Sequence, residues 1–390
     1  MFYHGSMLDL RPHFSRFLTA DPARLHFAAH SHHPWPDVTR DAQLAAWDLA
    51  AREQDGKWGH VLGPLVAECR TRVARQLGLP DPATLVFATN THDFLLRILS
   101  ALDPARPPRV LTTDGEFHSL TRQLARLEED GLVHVTRVAA EPGATCMARL
   151  VEAASQPFDL IWVSEVFFNS GFALGDFSAL AGAAGDAVLV IDGYHGFMAR
   201  PVDLGPIAHR AFYTSGGYKY AMAGEGCCFL HCPPGWLMRP RATGWYAAFG
   251  ALAAPGGGVG YATDGGRFMG ATFDPTSLFR LAASLRWFED QGLTTAMVRD
   301  HAHALQARFV AGLGGTGLAP SALVVPLGDP SRGNFLTFDL PDAGAWQARL
   351  EAARIITDRR GTRLRFGFGL YQTTEDIDAL LVRLRGLVGR

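Results

Sequence analysis

Between residues 84 and 232 the chain alternates short apolar, β-branched runs with amphipathic stretches. "TLVFAT" leads to "HDFLLRILSAL", "RVLTT" to "SLTRQLARLEEDG", "LVHVTRVA" to "CMARLVEAAS" and "DLIWVSEV" to "DFSALAGAAG", before "AVLVIDG", "RAFYTS" and "GCCFLHC". Strand-length runs alternating with helical periods predict a mostly parallel sheet covered on both faces, an α/β fold. Before this block, "DVTRDAQLAAWDLAARE" and "PLVAECRTRVARQLG" read as helices, with Asp37 as N-cap and Gly78 as the C-terminal stop. After "APGGGVGYATDGG" the texture changes to long helical patterns and a few strands. The expected organisation is an N-terminal segment (1–50), a large domain (51–270) and a smaller α+β domain (271–390).

Composition narrows the class of partner. Net charge is -2 and 19% of the 390 residues are charged, with no basic run to suit nucleic acid. No apolar run has the length of a membrane span. The first residues, "MFYHGSMLDLRPHFSRF", lack the apolar core of a signal peptide. Five scattered cysteines in a chain of this size read as reduced thiols, and the expected location is cytoplasmic.

The chemistry concentrates around "AVLVIDGYHG" and "TSGGYKYAMAGEGCCF". Asp192 ends an apolar strand, and ligands in open α/β sheets bind beyond the carboxyl ends of strands. Alone, such an aspartate reads as a turn cap. Lys219, set among glycines and tyrosines on the next strand–loop unit, changes that reading. Burial lowers a lysine pKa and leaves a nucleophilic amine. An aldehyde cofactor of the pyridoxal type needs this pair: an amine for its aldehyde and a carboxylate for its ring nitrogen.

The stretch "DGYHGFMARPVDLGPIAHRAFYTSGGYKY" resembles the class V branch of fold-type I pyridoxal-phosphate (PLP) enzymes. "YKY", "SRGNFLTFDL" and "TDRRGTRLRFGFGLYQTTEDI" are similar, more narrowly, to the kynureninase family. The resemblance implies a large domain with a mostly parallel seven-stranded sheet, the cofactor pyridoxal 5'-phosphate, a small amino-acid substrate and a homodimer. It implies that Lys219 bonds to the cofactor and moves protons at Cα, with Asp192 on the pyridine nitrogen and His195 beside it. Phe117, in "EFHSLTRQLA", would stack on the ring, and Tyr218 would hold the phosphate. "FATNTHDF" opens a helix, so Asn90, Thr91 and His92 offer the phosphate a helix N-terminus. Trp245 in "TGWYAAFG" and Thr272 in "GGRFMGATF" would reach the partner's phosphate. Arg365 would clamp the substrate carboxylate through a two-pronged hydrogen bond. The implied reaction is hydrolytic Cβ–Cγ cleavage, with a class V aminotransferase or another β-lyase as the alternative.

Departures from that family fall on the substrate side: Leu120 where it has an acid, "WYAA" in the aromatic segment, and "AAHSHHPWP" near the N-terminus. One of His30, His32 and His33 is expected to line the substrate pocket, with His32 named for it and the other two left open. Pro34 and Pro36 prevent a helical i, i+4 pair of ligands, so no metal is expected. Cys227, Cys228 and Cys232 read as core residues. No cysteine follows Cys232, which disfavours a desulfurase with a nucleophilic cysteine in its C-terminal half. The glycine stretches "GGGVG" and "GEG" do not join a strand to a helix as a dinucleotide fingerprint requires.

Overall fold

The structure is a computed structural model that describes residues 9–251 and 258–388. Part of the "GGGVG" stretch lies outside the described residues. Near the N-terminus, β1 (Leu25–His26) stands apart from the main sheet. That sheet contains β2 (Leu85–Ala88), β3 (Arg109–Thr113), β4 (His134–Val138), β5 (Leu160–Ser164), β6 (Val188–Asp192), β7 (Ala211–Gly216) and β8 (Cys228–His231). Its order is β2-β8-β7-β6-β5-β3-β4. The β7–β6–β5–β3–β4 run is parallel, and β8 is antiparallel to both of its neighbours. All seven apolar runs named from the sequence form these strands. Helices cross between the parallel strands, so β5, β6 and β7 are sealed on both faces and tolerate almost no polar residue before their tips.

The C-terminal part holds β9 (Phe335–Asp339), β10 (Ile355–Ile356), β11 (Asp358–Arg360) and β12 (Arg363–Gly367). β11, β12 and β9 form an antiparallel sheet, while β10 pairs in parallel with β1. A separate apolar core forms here from Leu305, Phe309, Phe338, Phe366 and Leu380, and it takes in Leu25 and Phe27 from the N-terminal segment. The Thr276–Asp290 helix buries Leu278, Leu281 and Leu285 in the large core instead. This helix, expected to open the smaller domain, thus packs in the same core as the main sheet.

Gly78 ends the Val66–Leu77 helix in the left-handed region, φ 64°. Asp37 differs from the expected cap. Its own backbone is helical, and its carboxylate accepts from the Ser15 N–H and hydroxyl and the Arg16 N–H, holding the preceding Ser15–Thr19 helix.

Candidate active site

The parallel register places Ser164, Asp192 and Thr214 side by side at the ends of β5, β6 and β7. Beyond these tips lies a cavity of about 270 Å³. Asn90, Thr91, His92, Phe117, Asp192, His195, Tyr218 and Lys219 all line it, so eight of the residues singled out in the sequence meet in one place.

Lys219 follows β7 through the turn at Gly216 and Gly217 and is buried. A side chain at Gly216 would collide with Tyr194 and Cys228, which explains the glycine there. The Lys219 Nζ lies 2.7 Å from His195 Nε2 and 4.7 Å from the centre of the Tyr194 ring. Desolvation lowers the Lys219 pKa to about 7, helped by Arg365 and opposed by Asp192. Burial, with Lys219 and Arg365 nearby, pushes His195 well below the usual imidazole range. The pair is therefore an amine poised near neutrality against a neutral imidazole.

Asp192 opens onto the cavity. Its Oδ1 accepts the Tyr194 N–H at 3.0 Å, and desolvation raises its pKa despite that bond and the nearby lysine. Among the described residues no other hydrogen bond reaches this carboxylate, so one oxygen is free for a ligand N–H. Tyr218 has its pKa pushed up to about 12 by burial and keeps its proton. Phe117 is 36% exposed and forms an apolar wall. Asn90 caps the Thr91–Ala101 helix by accepting the Asp93 N–H at 2.9 Å, which points that helix start at the cavity.

These residues fit pyridoxal phosphate. The cavity offers an amine, a carboxylate with an open oxygen, a flat aromatic wall and a helix N-terminus, and the buried Nδ1 atoms of His92 and His195 have no partner.

Four predicted residues lie outside the cavity lining. Arg365 is 2% exposed and already engaged: Nη2 pairs with Asp358, and Nη1 donates to the Phe168 carbonyl. His32 is exposed and stacks on Tyr218 at 5.7 Å. Trp245 is 43% exposed, stacked on Tyr246, and Thr272 is exposed as well. Leu120 is buried in the core beside the sheet, so no polar group replaces the family's acid there.

Sequence reasoning missed Ser164, Phe168 and Tyr194 in the lining and Glu116 behind it. Ser164 had a signal, since it ends the strand next to Asp192. Its hydroxyl donates to Glu116 at 2.6 Å, and the Thr113 hydroxyl donates at 2.7 Å. Burial pushes the Glu116 carboxyl up to about 7. Nothing in "DGEFHS" alone announces that role.

No family model matches the chain. It is 27% identical over 367 residues to the isopenicillin N epimerase of Streptomyces clavuligerus, covering 83% of this chain and 85% of that protein. Among solved structures it superposes on a lysine variant of C-DES with glycine covalently linked to the PLP cofactor. That match has TM-score 0.80 and 20% identity, over 96% of this chain and 98% of that one. The apo cysteine desulfurase of Thermococcus onnurineus NA1 matches with TM-score 0.80 and 17% identity, over 99% of both chains. These relatives are not kynureninases, and the similarity supports the broader group rather than that one family. The chain has the fold of these structures, a fold-type I architecture with a large multi-stranded sheet and a smaller C-terminal α+β part.

Proposed function

We propose that the cavity binds pyridoxal 5'-phosphate and that the protein is a PLP-dependent enzyme acting on a small amino acid. The observation that carries this reading is the buried Lys219 amine, 2.7 Å from His195 in the cavity that Asp192 also lines. Lys219 would hold the cofactor's aldehyde carbon, Asp192 its ring nitrogen and Phe117 one face of the ring. Tyr218 and the helix start at Asn90, Thr91 and His92 would hold the phosphate. When bound, the cofactor supplies an electron sink for charge left at Cα as a bond there breaks. Lys219, neutral above about pH 7, takes the Cα proton. His195 Nε2 holds that amine in place and offers the proton a second seat. Phe117, Phe168 and Tyr194 would give the reacting carbon an apolar surround.

The reaction proposed is kynureninase-like hydrolytic cleavage between Cβ and Cγ, supported by "YKY", "SRGNFLTF" and "RLRFGFGLY". Water adds to the γ-carbonyl carbon, the Cβ–Cγ bond breaks, and a carboxylic acid leaves as alanine forms. The protonated Tyr218 can donate a hydrogen bond during this step. The epimerase relative favours a second reading in which only protons at Cα move, as in epimerisation or the first half of transamination. Persulfide chemistry on a cysteine of this chain is disfavoured. All five cysteines are buried, and burial raises the thiol pKa of each. A homodimer is proposed on the exposed Trp245 and Thr272, which lie outside the single-chain cavity.

The test is to incubate the enzyme with kynurenine in heavy water. Aminobenzoate and alanine are the expected products. Deuterium at Cα without aminobenzoate would select the second reading. A colourless protein with no borohydride-trapped cofactor on Lys219 would overturn the cofactor assignment itself.

A further inference from the structure

A second cavity, of about 260 Å³, lies behind the one just described. Ile191 and Tyr213 line it, and each is one residue from Asp192 or Thr214. Side chains alternate across a strand, so this cavity opens on the opposite face of the large sheet. Glu165, Arg200, Asp176 and Asp203 are its charged lining, with Ser178 beside them.

Its charges are only partly spent. Arg200 Nη1 is buried and has no hydrogen-bond partner, and the guanidinium acts on Glu165 through space without a direct ion pair among the described residues. A buried N–H left unpaired is costly, and it marks a place where a partner belongs. Glu165 is buried and accepts the Tyr213 hydroxyl at 2.8 Å. Asp176 and Asp203 each spend one oxygen on a local turn, accepting the N–H of Ser178 at 2.8 Å and of Gly205 at 2.9 Å.

Charge selects the ligand. A simple anion would meet three carboxyl groups, and a simple cation would leave the Arg200 donors unpaired. A small molecule carrying both signs satisfies both sides. We propose that this cavity is a second, non-catalytic site for a free α-amino acid, with its carboxylate on Arg200 and its ammonium toward Glu165 and the two aspartates. Burial pushes the Glu165 carboxyl up to about 7, and a ligand ammonium would favour its ionised form. Glu165 also packs directly beneath Gly196, where a Cβ would fall 2.1 Å from its Oε2. The proposal does not depend on which reaction the first cavity performs, or on its cofactor.

Equilibrium dialysis tests it, using radiolabelled alanine, glutamate, lysine and phenylalanine on the purified full-length protein. Lys219→Ala should keep saturable binding of at least one of them, because the second cavity is intact. Arg200→Gln should weaken that binding by about tenfold or more, as loss of a charge-assisted hydrogen bond implies. Val202→Trp, which fills the cavity without altering its charge, should weaken it as well. Arg200 is partly exposed, so both proteins can be verified as folded by circular dichroism before dialysis. Binding to Lys219→Ala that is unchanged when Arg200→Gln or Val202→Trp is added would belong to the first cavity and overturn the proposal. So would the absence of binding to Lys219→Ala for all four amino acids at millimolar concentration.

Discussion

The strand tips and the β11–β12 hairpin both bring charged residues toward Lys219, but they arrive in opposite states. At the tips, Asp192, His195 and Lys219 keep polar atoms free to meet a ligand in an open cavity. On the hairpin, Asp358 sits directly across from Arg365 and takes its guanidinium, while Phe168 takes the other prong. His30, wholly buried beside this pair, stacks on Phe335 at 4.4 Å; both its ring nitrogens and the Arg365 Nε also lack a partner, but these atoms line neither cavity. Charge alone therefore does not mark a site. Unspent hydrogen-bonding capacity next to open space does, because a protein does not leave such groups unsatisfied without cause.

The largest expected effect falls on the open side. Lys219→Ala should reduce turnover by about a thousandfold or more, since a positioned proton-transfer group contributes about 10²–10⁴-fold and this one also holds the cofactor. Borohydride reduction and peptide mapping of the wild-type protein should place the label on Lys219. A label on another lysine, or a variant retaining a tenth of its activity, would break the contrast at its strongest point.

The paired side gives the next effect. Arg365→Ala should lower kcat/KM about a hundredfold if its guanidinium meets the substrate carboxylate, because charge-assisted bonds of this kind are among the strongest. It should also lower Tm, but by less than the loss of a lone buried ion pair would, since Asp358 is half-buried and keeps Arg360 and the Ser31 hydroxyl. Asp358→Asn separates the two roles. Freeing Arg365 should lower KM for an amino-acid substrate if the arginine binds it. If both variants lower Tm while kcat/KM per folded enzyme is unchanged, the arginine is structural. Burial works against ionised Asp358, but Arg365, Ser31 and Arg360 outweigh it and hold its pKa below the usual 3.8. Its stabilising contribution is therefore present above that value and is lost as pH falls through the lowered one.

This contrast also separates what the sequence discloses from what it hides. The seven strands are legible because each is an apolar run closed by a turn or helix, which local composition records. Asp192 and Lys219 stand out because a strand tip is the natural place for a site in such a sheet, while His195 is singled out by resemblance. The pairing of Asp358 with Arg365 depends on antiparallel register, and the burial of Glu116 depends on Ser164 from another strand. Both are products of tertiary packing, and no short window contains them. Arg365 was identified by resemblance, which finds a residue without showing which neighbour already holds it. Trp245 and Thr272 were read the same way, and their proposed role requires a second chain.

A change of pH sharpens the open side further. With its pKa near 7, Lys219 should capture cofactor aldehyde about ten times more slowly for each pH unit below that midpoint, because only the neutral amine attacks. Between about 7 and its ordinary 10.5, the folded protein carries this amine neutral while the unfolded chain carries it charged. Stability linked to Lys219 therefore rises with pH across that interval. Asp192→Asn removes the carboxylate that raises the Lys219 pKa, so the midpoint should move to lower pH. Stopped-flow absorbance of cofactor-stripped protein mixed with pyridoxal phosphate would record both profiles. An unmoved midpoint would mean that Asp192 does not act on the amine electrostatically.

The smallest effect belongs to Asn90, where architecture and site overlap. Its side chain accepts the Asp93 N–H and keeps the first turn of the Thr91–Ala101 helix directed at the cavity. Removing an N-cap of this kind costs about 1 kcal/mol, which is roughly a fivefold change in an equilibrium. Asn90→Ala should therefore weaken cofactor binding by about that factor, and pyridoxal without its phosphate should be insensitive to the change. Asn90→Asp should restore the cap, because aspartate accepts the same N–H, but it adds a negative charge beside the phosphate. A variant that recovers thermal stability and still binds phosphate poorly would show that the helix start acts electrostatically on the ligand. Recovery of both would assign Asn90 to the fold alone.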